Sequence, residues 1–441
     1  MVTYSGIGSY SNSDVLSFSA SFIAFVGGER IPKGCERQKI YFLSMSDRPQ
    51  VIGSLFSHAV SYVGKQLGSV LTSKEFEQLS SGRVTSSVLV FNGRAIPLCN
   101  LGTTQYIIKN DSIKKLETEA TLLDGSWIVI SSNELSEEEI NLVQRKIKEG
   151  ITPRYLAEYI SRTNSALKAL AAVAINAKLA NYDFLRGNPS ISCYSHPGKV
   201  RSNNEDACFV SSFDLSVSNR RWRYQVLCVA DGAGGHMHGE VASRETIIWM
   251  FLQIGKAIIE GKLESNIDNT LYQIISSLNE RILELKSRKM SNMASTLSIA
   301  LVTGEDVYIG HVGDSRIYVA DTSSGSIIQL TKDHKYVEDL VDKGIITREE
   351  ARIHPQRNII TSAIGMNNPK IDTFHLSKEL NKNKKLVVCS DGLSDLVDDI
   401  DIYKVVSSEQ LLGNKTKRLV ELANQRGGTD NISVAFLEYL K

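Results

Sequence analysis

An internal repeat constrains the fold of this chain more than any other feature of its sequence. Four segments of the first half, residues 4–8, 40–47, 89–102 and 127–135, have counterparts in the same order in the second half, at 194–198, 224–231, 301–313 and 386–393. Each segment is an apolar run that enters a turn, and self-similarity over a long period indicates a duplicated unit. We therefore expect two units of related architecture, 1–185 and 186–441. Their boundary should lie near 181–190, where Asn, Gly and Pro interrupt the pattern.

Local patterns predict both helices and strands. Ser136 and Glu139 have the spacing of a capping box, which predicts a helix over 137–148. Apolar residues recur at helical spacing between 271 and 285 and predict a long amphipathic helix. The β-branched run 307–312 predicts a strand. The chain is therefore expected to be of mixed α and β structure.

The Ala-rich stretch 166–180 is the feature nearest to a membrane segment. Lys168 and Lys178 interrupt it, and it is shorter than the ~20 apolar residues that span a bilayer. We interpret it as a buried or interface helix and expect no membrane partner. Residues 1–20 lack the basic start and apolar core of a secretory signal.

Charge and cysteine usage narrow the class of protein further. The 441 residues contain 50 Lys plus Arg against 49 Asp plus Glu, whereas proteins that bind nucleic acid normally have a basic excess. We therefore expect no nucleic-acid partner. The six cysteines include no CxxC pair, which favours reduced thiols over a disulfide framework or a zinc site. These features together predict a cytoplasmic protein.

Acidic residues at the ends of apolar runs are the chemical signature of the second unit. They often have glycine beside them, and they are Glu205, Asp206, Asp231, Asp314, Asp391 and Asp430. A carboxylate at a strand end, next to a glycine that allows close backbone approach, is suited to a hard divalent cation. Oxygen ligands without paired His or Cys favour Mg²⁺ or Mn²⁺ over zinc. A single Asp-Gly pair usually marks only a turn, but the ordered set indicates a metal site.

The second unit resembles a known family through five ordered motifs. The motifs are RSNNED (201–206), VADGAGGH (229–236) with GEVAS (239–243), GDSR (313–316), SDG (390–392) and GGTDN (427–431). Over about residues 190–441 they are similar to the PP2C-type (PPM) metal-dependent serine/threonine protein phosphatases, particularly the bacterial members. The resemblance implies an α+β fold, an αββα sandwich in which two antiparallel sheets lie between helices, with the metal ions in a cleft at one sheet edge.

The resemblance also implies a role for each site residue. Asp231 would bridge two Mn²⁺ or Mg²⁺ ions and the Gly232 carbonyl would bind one of them. Asp391 and Asp430 would complete the shell of one ion, and Glu205 and Asp206 would hold the other, largely through water. Asp314 would serve a weaker third position, and Arg201 would bind the substrate phosphate with a bidentate fork. Two ions about 3.5–4 Å apart lower the pKa of a bridging water for in-line attack on phosphorus.

Two regions of the second unit leave roles open. Some family members place a histidine after the Asp-Gly pair to protonate the leaving group, but this chain has Ala233 there, so the proton must come from water or another group. His236 is a second candidate, although a structural role in its glycine-rich turn is the simpler interpretation. The segment 333–365 corresponds to the variable flap of the family. Within it His354 and Arg357 are candidate flap residues, and Arg357 either guides substrate or forms a salt bridge.

The first unit has lost most of this set. Ser11 stands at the position of Arg201, Ser13 at Glu205, Thr103 at Asp314 and Asn133 at Asp391, and only Asp14 and Asp47 keep a carboxylate. We expect residues 1–185 to be a smaller degenerate copy of the same architecture, a pseudophosphatase-like module for regulation, dimerisation or regulator binding. The alternative is an unrelated α/β domain.

Three functions are compatible with the sequence. The leading one is metal-dependent hydrolysis of phosphoserine and phosphothreonine on protein substrates. The alternatives are a binding protein that captures phosphorylated partners without turnover, and a phosphatase of small phosphomonoesters. The complete acidic set favours an enzyme, because a binding protein has no use for it.

Overall fold

The computed structural model describes most of the second half of the chain and separate segments of the first. The described residues are 6–11, 16–26, 36–46, 56, 85–91, 94–101, 104–109, 112–117, 120–121, 126–131, 134–149, 156, 169–174, 184–185, 189–217, 220–233, 238–289 and 291–439.

The described strands number β1 to β22 in chain order. The strands of the first half are β1 (Gly6–Ser11), β2 (Leu16–Val26), β3 (Glu36–Ser46), β4 (Thr85–Phe91), β5 (Arg94–Leu101), β6 (Thr104–Lys109), β7 (Ser112–Lys115), β8 (Ala120–Thr121), β9 (Trp127–Ser131) and β10 (Ala169–Ala174). Those that follow are β11 (Phe184–Leu185), β12 (Ser190–His196), β13 (Asp206–Val217), β14 (Arg220–Ala233), β15 (Ala294–Ser295), β16 (Leu297–Thr303), β17 (Asp306–Val312), β18 (Arg316–Asp321), β19 (Ser326–Gln329), β20 (Asp372–Leu376), β21 (Lys384–Cys389) and β22 (Ile432–Glu438).

The helices with described bounds are α1 to α9. They are α1 (Glu137–Lys148), α2 (Gly239–Ile259), α3 (Lys262–Ser265), α4 (Ile267–Lys289), α5 (Tyr336–Asp342), α6 (Arg348–Ile353), α7 (Asp391–Ser394), α8 (Asp399–Ser407) and α9 (Leu412–Gln425). None of the described helices is long and apolar enough to cross a membrane.

The strands form three antiparallel sheets. One sheet has the order β11-β12-β22-β21-β18-β19, a second has the order β1-β10-β9-β6-β7, and the largest has the order β20-β17-β16-β14-β13-β2-β3-β4-β5-β8 with β15 beside β14. The largest sheet therefore contains strands from both halves of the chain. They meet where β2 pairs with β13 over ten positions, from Ser17 opposite Ser216 to Val26 opposite Ala207.

Three apolar layers hold the second half together. Alternate residues of β13 and β14, such as Phe209 and Cys228, pack against α2 and α4 on one face of the large sheet. Their neighbours along the strands, such as Cys208 and Val229, pack on the opposite face against the sheet that contains β21 and β22. The outer face of that second sheet is covered by α8 and α9. This arrangement is helix, sheet, sheet, helix, as expected, because strand residues alternate between the two faces of a sheet.

Phe56 joins the first half of the chain to this core. Its ring is fully buried and lies edge-on to Phe213 of β13 and Phe251 of α2, with ring centroids 6.4 and 5.3 Å away. A Cβ added to Gly255 of α2 would lie 2.2 Å from the Phe56 ring. The Phe56 ring therefore occupies a socket formed by Phe213, Phe251 and Gly255, and a side chain at position 255 would overlap the ring.

The local predictions are confirmed except in the Ala-rich stretch. Helix α1 begins at a capping box formed by Ser136 and Glu139, and α4 and β17 cover the predicted helix and strand. The interpretation of 166–180 as a helix is wrong where the structure describes it, because β10 is a strand between β1 and β9. Alanine has a high helix propensity, and pairing with two neighbouring strands overrides that weak preference.

Exchange of residues at the socket should show whether the Phe56 contact stabilises the protein. We expect Phe56→Ala to lower the free energy of unfolding by about 3–5 kcal/mol because it leaves a cavity in a buried cluster. Gly255→Ala should also destabilise, through the clash with the ring. In the double variant the added methyl has room, and alanine favours a helix by about 0.5–1 kcal/mol over glycine. The double variant should therefore be at least as stable as Phe56→Ala alone in urea unfolding, and strictly additive losses would contradict the contact.

Candidate active site

Carboxylates from both sheets meet at one end of the sandwich. Asp206 is the first residue of β13 and lies directly opposite Asp231 of β14. Asp391 begins α7, after β21 ends at Cys389, and Asp430 precedes β22 by two residues. Because β21 and β22 are neighbours in the second sheet, their ends bring Asp391 and Asp430 to the same edge.

A serine between the two sheets fixes this convergence. The Ser390 hydroxyl donates to Asp206 Oδ2 at 2.7 Å and accepts from the Ser433 N–H at 3.0 Å. Ser390 follows β21 and Ser433 belongs to β22, whereas Asp206 belongs to the large sheet. One fully buried hydroxyl therefore links the two sheets at the acidic cluster.

The electrostatics of the cluster show that its carboxylates are close enough to interact. Burial raises the pKa of Asp231 well above its usual value, and the charges of Asp206, Asp391, Asp314 and Asp430 raise it further. Burial raises the pKa of Asp206 to about 7. Burial, followed by the charge of Asp314, raises the pKa of Asp391 to about 8. Mutual repulsion without a compensating cation favours the protonated forms.

The unpaired oxygens of the cluster are suited to a divalent cation. Asp206, Asp314 and Asp391 each have a buried Oδ1 without a hydrogen-bond partner. A buried carboxylate oxygen without a partner is costly, and hard oxygen donors are the ligands of Mg²⁺ and Mn²⁺. Among the described residues no group of three or more His, Cys, Asp or Glu side chains has the arrangement of a metal site.

Close packing requires glycine after Asp231. The Gly232 N–H donates to the Glu205 carbonyl at 3.1 Å. A Cβ on Gly232 would lie 2.0 Å from the Gly239 carbonyl oxygen and 2.6 Å from that of Glu205. Only glycine therefore allows the end of β14 to pack beside both segments. The next residue, Ala233, has an exposed methyl group and offers no proton for a leaving group.

Arg201 and Glu205 lie at the open side of the cluster. The Arg201 Nη2 is 2.8 Å from Asp430 Oδ2, and 54% of its side chain is exposed. Burial alone would lower the pKa of Arg201, but the charge of Asp430 raises it above its usual value. The half-buried Glu205 has a raised pKa, caused by burial and then by Glu240. A guanidinium that is both anchored and exposed can meet an anion arriving from solvent.

Asp314 lies deeper and has a partner that the sequence did not indicate. It follows β17, and its Oδ2 is 2.9 Å from the Lys335 ammonium. Lys335 is nearly buried and is also 3.9 Å from Asp395 Oδ1. Burial tends to raise the pKa of Asp314, and the charge of Lys335 opposes this.

One candidate flap residue, His354, packs near the segment that carries Lys335, because its ring centroid is 6.5 Å from that of Tyr336. His354 ends α6, and its Nδ1 accepts from the Gln356 N–H at 3.1 Å. The Arg357 side chain is exposed and has no ion-pair partner within the described part of the chain, so the salt bridge considered for it gains no support. His236 lies outside the described residues.

Several residues that shape the site were given no role from the sequence. Asn431 accepts the Glu205 N–H at 2.7 Å and donates to the carbonyls of Pro197 and Asn203. The Thr296 hydroxyl accepts the Asp231 N–H at 2.9 Å. Asp395 could have been found, because it lies four residues after Asp391. Lys335 lies in the flap segment 333–365 and Thr296 follows β15, but no sequence signal identifies either residue as part of the site.

Comparison with known proteins identifies the family. The family model described as protein phosphatase 2C matches residues 198–429. A Streptococcus pyogenes sequence named as a 2C-type protein phosphatase is 37% identical over 251 residues, which are 56% of this chain and 96% of that one. A Listeria innocua serine/threonine phosphatase is 31% identical over 244 residues, 55% of this chain and 92% of that one. The Streptococcus agalactiae serine/threonine phosphatase structure has a TM-score of 0.50 at 36% identity, and covers 57% of this chain and 100% of that one.

These matches and the acidic cluster define a serine/threonine phosphatase. The chain belongs to the protein phosphatase 2C family, whose members depend on metal ions. Its first 197 residues lie outside the family match.

The raised carboxylate pKa values predict how stability depends on pH in metal-free protein. Between about pH 4 and 8 the folded protein retains protons on Asp206 and Asp391 that the unfolded chain has already lost. Stability should therefore fall as pH rises through this range. With chelator present we expect Tm to be lower at pH 8 than at pH 5 by several degrees, given about 2–4 °C per kcal/mol. Mn²⁺ competes with those protons, so adding it should raise Tm more at pH 8 than at pH 5. A Tm that Mn²⁺ leaves unchanged at both pH values would contradict the site.

Proposed function

We propose that residues 186–441 hydrolyse phosphoserine and phosphothreonine on proteins with a metal-activated water. The single observation that carries this proposal is the set of unpaired buried carboxylate oxygens where the two sheets meet. Asp231, Gly232, Asp391 and Asp430 would hold one metal ion, and Glu205 and Asp206 would help Asp231 to hold a second. Bound Mn²⁺ or Mg²⁺ would act as a Lewis acid and would lower the pKa of a bound water toward neutral pH.

The protein itself would orient the substrate. Arg201 carries a planar guanidinium that can form two parallel hydrogen bonds to a phosphoryl group, and its contact with Asp430 keeps it beside the carboxylates. Because Arg201 is half exposed, a phosphate on a protein surface can reach it without opening of the fold. This accessibility is compatible with phosphoproteins as substrates.

Replacement of Asp231 tests the proposed reaction. We expect Asp231→Asn to reduce Mn²⁺-dependent release of phosphate from a phosphothreonine peptide by at least about a hundredfold, since even outer partners of metal ligands cost 10–100-fold. Asp398→Asn is the matched control, because this side chain is 88% exposed. Wild-type turnover in the Asp231 variant would refute the mechanism. Peptide binding without any wild-type turnover would favour the phosphoprotein-binding alternative.

We also propose that residues 1–185 are a degenerate copy that regulates the catalytic part. The sheet of the first half with the order β1-β10-β9-β6-β7 matches the sheet of the second half with the order β12-β22-β21-β18-β19 strand by strand. In the largest sheet the run β2-β3-β4-β5-β8 likewise matches the run β13-β14-β16-β17-β20. The two runs extend in opposite directions from the pair formed by β2 and β13. The four repeated sequence segments fall on corresponding strands in these orders. This correspondence supports a duplication over an unrelated domain.

Regulation would act through the shared sheet. The pairing of β2 with β13 reaches Ala207, which is adjacent to Asp206 of the cluster. Strand β2 therefore supports the strand that carries a proposed metal ligand. Dimerisation or binding of a regulator through residues 1–185 stays a prediction, which analytical ultracentrifugation of the full chain would test.

A proline in β2 should weaken this support. Ser21 lies opposite both Ser212 of β13 and Tyr41 of β3. Proline at this position removes a ladder hydrogen bond, so we expect Ser21→Pro to lower Tm and to raise the Mn²⁺ concentration needed for half-maximal activity several-fold. Ser21→Ala is the matched control and should behave as wild type. An unchanged Mn²⁺ requirement in a Ser21→Pro protein of lower Tm would contradict coupling through this strand.

A further inference from the structure

Lys335 brings a positive charge into the carboxylate cluster. Its Nζ is 2.9 Å from Asp314 Oδ2 and 3.9 Å from Asp395 Oδ1, and only 7% of its side chain is exposed. Asp391 also interacts electrostatically with this ammonium group. Three aspartates, one of which is a proposed metal ligand, therefore face a single buried cation supplied by the chain.

The main chain holds Lys335 beside Asp314. The preceding residue, His334, donates its N–H to the Gly313 carbonyl at 2.8 Å, and its Nδ1 accepts the Gly313 N–H at 3.1 Å. On the other side the Tyr336 N–H donates to the Ile359 carbonyl at 2.9 Å. The backbone on both sides of Lys335 is thus fixed, and the same contacts fix the turn that carries Asp314.

A lysine held in this way competes directly with a metal ion. Its ammonium is a compact point charge with three donors, and it stays beside Asp314 at a high effective concentration. A divalent ion arriving at Asp314 would have to displace a nearly buried salt bridge. It would also deprive a buried ammonium of its nearest partner, which is unfavourable.

We propose that Lys335 takes the place of a metal ion at Asp314, so that the chain supplies one cation of its acidic cluster from its own sequence. This inference rests on the proposed function, in which ions bind around Asp231. It replaces the weaker third metal position that the family resemblance implies for Asp314. Lys335 acts as a positioning residue: it neutralises Asp314 and confines bound ions to the carboxylates around Asp231.

The number of Mn²⁺ ions bound per chain tests this proposal independently of activity. Full-length wild type and variants are dialysed against Mn²⁺ and analysed for metal content. Lys335→Met removes the charge and keeps the length of the side chain, so this variant should bind one more ion than wild type. The double variant Lys335→Met with Asp314→Asn should lose that ion. Lys335→Arg keeps the charge and should match wild type, as should the control Lys343→Met at an exposed lysine.

The single variant Asp314→Asn keeps the test decisive even if the Lys335 variants fail to fold. Because the proposal leaves Asp314 without an ion in the wild type, this single variant should bind as many ions as wild type. Loss of an ion in Asp314→Asn, or equal ion counts in wild type and folded Lys335→Met, would overturn the proposal. A wild type that binds no Mn²⁺ would instead overturn the proposed function.

Discussion

Repulsion among clustered carboxylates is the constraint on which the rest of this structure depends. Asp206, Asp231, Asp391 and Asp430 come from both sheets, and burial together with their mutual charge raises the pKa of three of them. Such a cluster opposes folding unless rigid elements hold it and cations compensate for it. The two sheets supply the rigidity, because each carboxylate lies at or next to a strand end. The Ser390 hydroxyl links the sheets at Asp206, within the cluster.

Compensation of charge is divided between the protein and the metal ions that the family uses. Arg201 at the open side pairs with Asp430, and Lys335 at the closed side pairs with Asp314. The two cations differ in exposure, and their proposed roles differ accordingly. In the proposed function the exposed guanidinium would exchange Asp430 for a phosphoryl group, whereas the nearly buried ammonium would stay beside Asp314.

Much of the catalytic half could be predicted from the sequence. The motifs around Asp231, Asp391 and Asp430 lie at strand ends, and apolar periodicity gave α4 and β17, because these signals are local. Residues 169–174 of the Ala-rich stretch were misinterpreted because their strand conformation depends on pairing with β1 and β9, which are distant in sequence. Lys335 was missed for the same reason: its significance comes from Asp314 and Asp395, which lie 21 and 60 residues away.

The sequence by itself determined which residue types are available for the chemistry and in what order they follow the strands. The sequence therefore determined the family, because the acidic motifs can be recognised from their order along the chain. Only the tertiary structure decided which charges face each other, that β2 extends the catalytic sheet, and that Phe56 enters a socket above Gly255. The physical reason is that charge compensation and packing depend on distance in space. A linear pattern specifies such distances only within a single helix or strand.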